Sequence, residues 1–463
     1  MNQVDFAGEP AGSAPLTWGQ LAIWPHRAAI DAPHRVLNLP RTLRVPDRVD
    51  ADVAQVSTAI RRLVERHHSL RTRILAGPDQ LRQDVSATGT LPVRLRTVAP
   101  SAADPQGAQA ARDLAADLAA TDFDHRREWP LRVGLVQIGR RVRQVVLVFS
   151  HVVVDFHAAE ILLRDLRLLL LRGAVTVPAG WQSVDVANHE HDHEAARSDR
   201  AARYWLGQFA KLPPQMFAPA ASVGAQVSVG GDTGPAPRYL VGRLVSSAVD
   251  TATRAIAARH RVSTATVLLA VIAARVAARA GLDRCGLVMM SSNRFRARYD
   301  TAVASLNQIG LCQLELPARS AQVADRAGFA DLLTGAWQAS LAAYRHAYYD
   351  PVALARAFAA QGHDLAGALA PYCFVNDLRL PHEAGPVPAV PPGRLRAMAD
   401  GTSLTWDVAP ARFAWRCRFQ VMDAPDGLAL VVTANTDYLP AGDVEELLRG
   451  IETALVAAAC DDY

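Results

Sequence analysis

The residues best suited to chemistry lie together in Ser150-His151-Val152-Val153-Val154-Asp155-Phe156. An imidazole titrates near neutrality, so His151 can take a proton from a nucleophile and return it to a leaving group. The Asp155 carboxylate can anchor the same stretch by taking a positive partner. A plainer reading is a core histidine satisfied by a backbone carbonyl, and the His-x-x-x-Asp spacing recurs at His346 and Asp350.

The flanking sequence says how this stretch is held. Residues 145–149 are continuously apolar and rich in β-branched types, which predicts a buried strand. After Ala158, Ile161, Leu162, Leu166 and Leu169 recur at helical spacing. His151 and Asp155 therefore sit on a strand-to-helix connection, where a rigid strand fixes the ring and low dielectric tunes it.

A second candidate set is His189-Glu190-His191-Asp192-His193, which spells the His-Glu-x-x-His of zinc hydrolases. On a helix, His189 and His193 would share a face, with Glu190 as general base. The surroundings are charged, continuing through Glu194, Arg197, Asp199 and Arg200, and no third ligand follows at a familiar spacing. An exposed linker helix is the expected reading; zinc hydrolysis and adventitious metal binding stand as alternatives.

The chain has 463 residues, half of them apolar, and a formal charge of +4. That length suits about two to three domain-sized cores. No dense Lys/Arg block points to nucleic acid. Lys211 is the only lysine and no Gly-rich loop ends in Gly-Lys-Ser/Thr, so Schiff-base and phosphate-loop chemistry lack their residues. Cys285, Cys312, Cys373, Cys417 and Cys460 form no Cys-x-x-Cys pair, which suits free thiols in a reducing compartment. The first residues have no signal-peptide pattern, and the apolar stretch 262–280 carries Arg275 and Arg279. A soluble, cytoplasmic protein with no membrane association is expected.

A flexible start precedes a short helix over 16–24. A strand over 36–45 follows, then a helix capped by Asp50, strands near 81–85 and 93–98, and a helix over 108–120. Residues 122–129 read as a polar turn, and 131–138 with 142–149 as a hairpin around Gly139. Beyond a boundary near 173–178 come a charged helix over 185–209 and a long Pro/Gly/Ser-rich loop over 213–237. A strand over 239–244, helices over 249–260 and 264–280, and a strand over 286–290 come next. Helices over 329–344 and 351–360 are followed by strands over 373–380, 415–422 and 428–433. A Pro-rich stretch over 382–394 separates the first two of these, and a helix over 441–459 closes the chain. Trp406, Phe413 and Trp415 are expected in the core, and His67 and His68 as structural residues at a helix end, where cations are favoured. Strands and helices mix without a repeat, so the class is mixed α/β with two lobes, 1–177 and 178–463.

In this order the pieces resemble the condensation domains of non-ribosomal peptide synthetases, members of the chloramphenicol-acetyltransferase-like acyltransferases. Trp18-Gly19-Gln20-Leu21-Ala22-Ile23-Trp24 is similar to the family's N-terminal helix motif. Arg66-His67-His68-Ser69-Leu70-Arg71-Thr72 resembles its Arg-His-x-x-Leu-Arg-Thr. Ser150–Phe156 stands where the family carries His-His-x-x-x-Asp-Gly. Ala202-Arg203-Tyr204-Trp205, Asn293-Arg294 with Ile309-Gly310, and Asn435-Thr436-Asp437-Tyr438-Leu439 resemble later segments.

The resemblance implies two acetyltransferase-like, two-layer lobes in a V around a tunnel. Peptidyl or acyl carrier proteins would dock at its mouths and present substrates on phosphopantetheine, with no bound cofactor and a monomer as the expected state. The acceptor would be a small molecule or itself carrier-bound. His151 matches the histidine that positions or deprotonates the attacking amine or hydroxyl. Asp155 matches the structural aspartate, with Arg294 of the second lobe as its partner. His157, Asn293 and Asn307 are tunnel candidates. Two positions depart from the motif: Ser150 replaces its first His and Phe156 its Gly. With no adenylation segment or Gly-Gly-x-Ser carrier site in view, a stand-alone condensation-type acyltransferase of secondary metabolism is expected. The alternative is a catalytically silent condensation-like domain that recruits carrier proteins or tailoring enzymes.

Overall fold

The computed structural model describes residues 2–9, 12–25, 37–77, 80–220, 226–229, 232–235, 237–316, 326–379, 390–409 and 414–460. The chain divides into two compact units. The first is Met1–Arg197 with Ser292–Gln308 and Asp350–Val352; the second is Ser198–Ser291, Ile309–Tyr349 and Ala353–Tyr463. Each combines β-sheet with helices, the mixed α/β class expected.

The first unit is built on β1 (Asn2–Ala7), β3 (Asn38–Arg44), β6 (Thr88–Val98), β7 (Leu131–Ile138) and β8 (Arg141–Ser150), in the order β1-β6-β7-β8-β3. The expected flexible start is thus an edge strand, because Val4 and Phe6 alternate with polar residues and turn inward. A smaller sheet joins β2 (Gly12–Pro15), β4 (Thr72–Ala76) and β5 (Leu81–Val85).

Every residue of β8 from Val145 to Phe149 is fully buried, so both faces of the large sheet need cover. On one face Val145, Leu147 and Phe149 pack with α1 (Trp18–Ile23), α2 (Val53–Arg66) and residues of Phe156–Arg172. On the other, Val146 and Val148 meet α3 (Ala108–Ala119). The β7–β8 hairpin turns at Gly139, whose φ of +62° is left-handed. Asp52 rather than Asp50 caps α2, through a reciprocal pair with Gln55, while Asp50 bonds Arg141.

Helix α4 (Phe156–Arg172) follows β8, and then α5 (Ser183–His193) and α6 (Ala195–Phe209). The single helix expected over 185–209 is therefore two, broken at Glu194, whose carboxylate holds His189 and Arg296. The division expected at 177/178 also differs from the compact units. Helix α5 stays with the first through Gln83 Nε2 donating to Ser183 O at 3.2 Å.

The second unit carries a seven-stranded sheet, β13-β12-β14-β16-β17-β11-β15. Its strands are β11 (Tyr239–Ser246), β12 (Arg284–Ser291), β13 (Gln308–Glu315), β14 (Cys373–Asp377), β15 (Ser403–Val408), β16 (Cys417–Ala424) and β17 (Gly427–Asn435). The stretch expected as a long loop over 213–237 contains a hairpin, β9 (Gln226–Val229) with β10 (Asp232–Pro235). Helices α7 (Ser247–His260), α8 (Thr264–Ala280) and the closing helix Ala441–Cys460 form the core with this sheet. Trp415 stacks on Phe374 at 5.2 Å, and Phe413 lies outside the described residues. Among the described residues no single helix is long and apolar enough to cross a membrane.

Candidate active site

The β8 strand ends at Ser150, and the chain then makes one tight turn into α4. His151 N donates to Leu37 O at 2.8 Å, so the backbone of this residue is fixed by the strand register. Its ring Nδ1 lies 3.2 Å from Val154 O. A carbonyl only accepts, so Nδ1 carries the hydrogen and Nε2 carries the lone pair. Among the described residues Nε2 has no hydrogen-bond partner. Burial pushes the imidazole below its ordinary 6.5, partly opposed by the nearby Asp155 charge. The ring is therefore neutral at neutral pH, the form that accepts a proton.

Asp155 is the N-cap of α4 and accepts Ala158 N at 2.8 Å. The same carboxylate accepts Arg294 Nη2 at 2.9 and 3.1 Å and Leu306 N at 3.0 Å. Arg294 also donates to Tyr299 O at 2.5 Å and Ala302 O at 2.8 Å, which fixes the guanidinium in its own loop. Ser292–Gln308 belongs to the first unit, so the expected pair forms inside that unit rather than between lobes. Asn293, at φ +55°, donates from Nδ2 to Leu306 O at 2.9 Å and shapes this loop. Asn307 is half-buried, with Ser305 Oγ 3.3 Å from its Oδ1. His157 lies exposed on the first turn of α4, 3.2 Å from Asp300 O.

The two departures from the motif have neighbours of their own. Ser150 Oγ lies 2.6 Å from His125 Nε2 and accepts Val152 N at 3.3 Å. Phe156 opens α4 with its ring under the Arg41 guanidinium, 4.6 Å from the ring centre. Arg41 in turn bonds Glu160 at 3.3 Å, one turn along the same helix.

Elsewhere the candidate groups are structural. Glu190 accepts Trp18 N at 2.7 Å, and His189 Nε2 lies 3.0 Å from Glu194 and 3.2 Å from Arg296. Among the described residues no cluster of three or more His, Cys, Asp and Glu is placed to hold a metal. His346 stacks on Tyr204 at 4.1 Å and its Nδ1 lies 2.8 Å from Ala342 O, so the second His-x-x-x-Asp is helix packing. His67 is buried against Asp165, and burial pushes its imidazole down; His68 is pushed down to about 4, first by burial and then by Arg71. Both are neutral histidines at pH 7, although a helix end favours cations.

A family model described as Condensation domain matches residues 11–369. The chain belongs to the condensation-domain family. Condensation domains are acyltransferases, in general amide-forming. This one is 26% identical over 345 residues to CymA of Salinispora arenicola, which carries the name of a nonribosomal peptide synthetase; the match takes in 72% of this chain and 4% of that protein. It is 28% identical over 275 residues to the AMB antimetabolite synthetase AmbB of Pseudomonas aeruginosa, over 59% of this chain and 21% of that protein. The chain thus spans a small part of the curated relatives it matches.

Among solved structures, it superposes with TM-score 0.72 at 20% identity on a condensation domain mediating chain release from the enacyloxin polyketide synthase, covering 98% of this chain and 84% of that one. The condensation domain of the monacolin K synthase MokA gives 0.70 at 15% identity, with 98% and 99% covered. At these identities the likeness speaks for the fold.

Within this condensation domain, His68–Arg71 of the Arg66–Thr72 segment is a 3-10 turn between α2 and β4, and Ser69 Oγ donates to Val303 O at 2.5 Å. Trp205 is fully buried and donates Nε1–H to His346 O at 3.1 Å. Sequence reasoning missed His125, Arg41 and Glu160. The only signal for His125 is its place in a polar turn, where nothing marks one residue as inward-facing.

Proposed function

We propose that the chain transfers an acyl group from a phosphopantetheine thioester on a carrier protein to an amine or hydroxyl acceptor in non-ribosomal peptide or related biosynthesis. The observation that carries this reading is the tautomer of His151, with Nδ1–H committed to Val154 O and the Nε2 lone pair left to act. The nucleophile attacks the thioester carbonyl carbon as Nε2 takes its proton. The tetrahedral intermediate then collapses, the C–S bond breaks, and the thiolate leaves with the proton that His151 returns.

Asp155 and Arg294 act at one remove. Their ion pair, with Leu306 N, fixes the start of α4 and so the turn that carries His151. Phe156, in place of the motif Gly, favours a second reading, a silent domain that recruits carrier proteins or tailoring enzymes.

A mass-spectrometric condensation assay with acyl-loaded carrier protein and an amine acceptor separates these readings. Product from the wild type that vanishes in His151→Ala is the expected result. Equal product from both sinks the role of His151. No product from either, with carrier binding retained, selects recruitment.

A further inference from the structure

We propose that His125 is a positioning residue for His151, acting through Ser150 and standing in for the motif histidine this chain lacks. The proposal rests on the reading of His151 as proton acceptor. Ser150 is 1% and His125 7% exposed, and Oγ lies 2.6 Å from Nε2.

Ser150 organises the whole turn after β8. Its Oγ accepts Val152 N at 3.3 Å, and its carbonyl accepts Val153 N and Val154 N, both at 3.1 Å. Val154 O is the acceptor that orients the His151 ring. The amides of Val152, Val153 and Val154 thus all lead back to Ser150, and the last peptide of the turn sets the tautomer of the base.

A serine hydroxyl is a rotor, and a 3.3 Å bond holds it weakly. The short contact to a buried imidazole fixes it. One Oγ lone pair faces Val152 N–H, and the His125 tautomer sets whether Oγ donates to Nε2 or accepts from it; either way the contact fixes the hydroxyl. His125 is itself held from separate elements. Its carbonyl accepts Ile74 N at 2.8 Å, and its ring meets Trp24 edge-on at 5.7 Å and Phe123 at 6.1 Å. A short side chain on β8 and an imidazole from the 122–129 turn together place a polar ring beside the turn.

The test compares His125→Leu with His125→Gln, whose amide reaches the Nε2 position, and with Ser150→Ala. The first readout is the His151 tautomer by 15N NMR of the imidazoles, assigned with His151→Ala; it needs no turnover. The second is steady-state kinetics of acyl transfer.

We expect His125→Leu and Ser150→Ala to shift His151 away from pure Nδ1–H. Each should lower kcat by about tenfold or more, with KM moving by less than about twofold. His125→Gln should restore both readouts, and Ser150→Ala with His125→Leu should cost no more than the worse single variant. An unchanged His151 tautomer in folded His125→Leu overturns the proposal, as does additivity in the double variant. Should His125→Leu fail to fold, Ser150→Ala and His125→Gln decide it by the same readouts. A wild type without turnover counts against the acyl-transfer reading and leaves the NMR result to decide the positioning.

Discussion

Arg294 Nη2 spans both oxygens of Asp155, 2.9 Å from one and 3.1 Å from the other, with both side chains nearly sealed from water at 4% and 3% exposure. The same carboxylate caps α4 and accepts Leu306 N, so one acid ties a strand-to-helix turn to a loop remote in sequence. Removing either charge leaves the other buried without its counter-charge, which costs more than the pair itself contributes.

Arg294→Ala should therefore destabilise the protein by about 3–5 kcal/mol, as expected for breaking a buried pair from one side. Urea unfolding followed by tryptophan fluorescence measures it. A midpoint within error of wild type would show that water reaches Asp155 and that the pair is not sealed.

The pH profile of acyl transfer should carry an acidic limb from His151. Its ring is shifted down by burial from 6.5, so the base is protonated, and activity lost, only as pH falls below that value. kcat/KM measured against pH should be flat from neutrality down to the limb. A midpoint above 6.5 contradicts the burial of the ring.

Asp165 supplies a separate acid sensitivity, in stability rather than turnover. Burial alone would raise its pKa, but His67 and Arg164 hold it at about 2, against an ordinary 3.8. A carboxylate held low in the native state contributes stability that is present above the ordinary value and lost as pH falls through the native one. Asp165→Asn should be less stable than wild type at about pH 5, and the gap should narrow by about pH 2. Denaturant titrations at the two pH values give the comparison.

Gly19 tests the approach of α1 to the Arg294 loop. A Cβ there would stand 2.2 Å from Ser305 O, a backbone atom that Thr17 Oγ1 also bonds at 3.1 Å. Gly19→Ala should cost about 1–3 kcal/mol, the usual range for overpacking. Gly139→Ala meets no atom within 4 Å and should cost about 1–2 kcal/mol for its left-handed φ alone. Thermal melts of the two variants rank them; equal shifts would mean that the Ser305 loop yields.

The strand, turn and helix around His151 were legible because an unbroken apolar run and a helical period meet at Ser150. The Asp155–Arg294 partnership was legible only through the family motif, since nothing local to Arg294 says which acid it will meet. Edge strand β1 was written in the alternation of Val4 and Phe6 with polar neighbours, but six residues at a chain start carry little weight against fraying. His125 was hidden for a different reason. Its turn holds Asp122, Asp124, His125 and Arg126, all polar, and only the packing of Trp24 and Phe123 selects which one faces inward. The helix break at Glu194 likewise depends on Arg296, a residue from a distant loop.

The first unit is assembled from pieces of chain that are not contiguous, because Ser292–Gln308 belongs to it while the residues on either side of that segment do not. Synthesis proceeds from the amino end, and a ribosome releases Asp155 well before Arg294. Over that interval the acid has no guanidinium to meet, Ser69 has no Val303 carbonyl, and Thr17 has no Ser305 carbonyl. A nascent chain halted at Arg197 carries the whole Ser150–Phe156 stretch yet lacks the loop that supplies Arg294 and Leu306 N to Asp155. The birth order of the chain thus makes maturation of the motif wait on β12 and the segment that follows it.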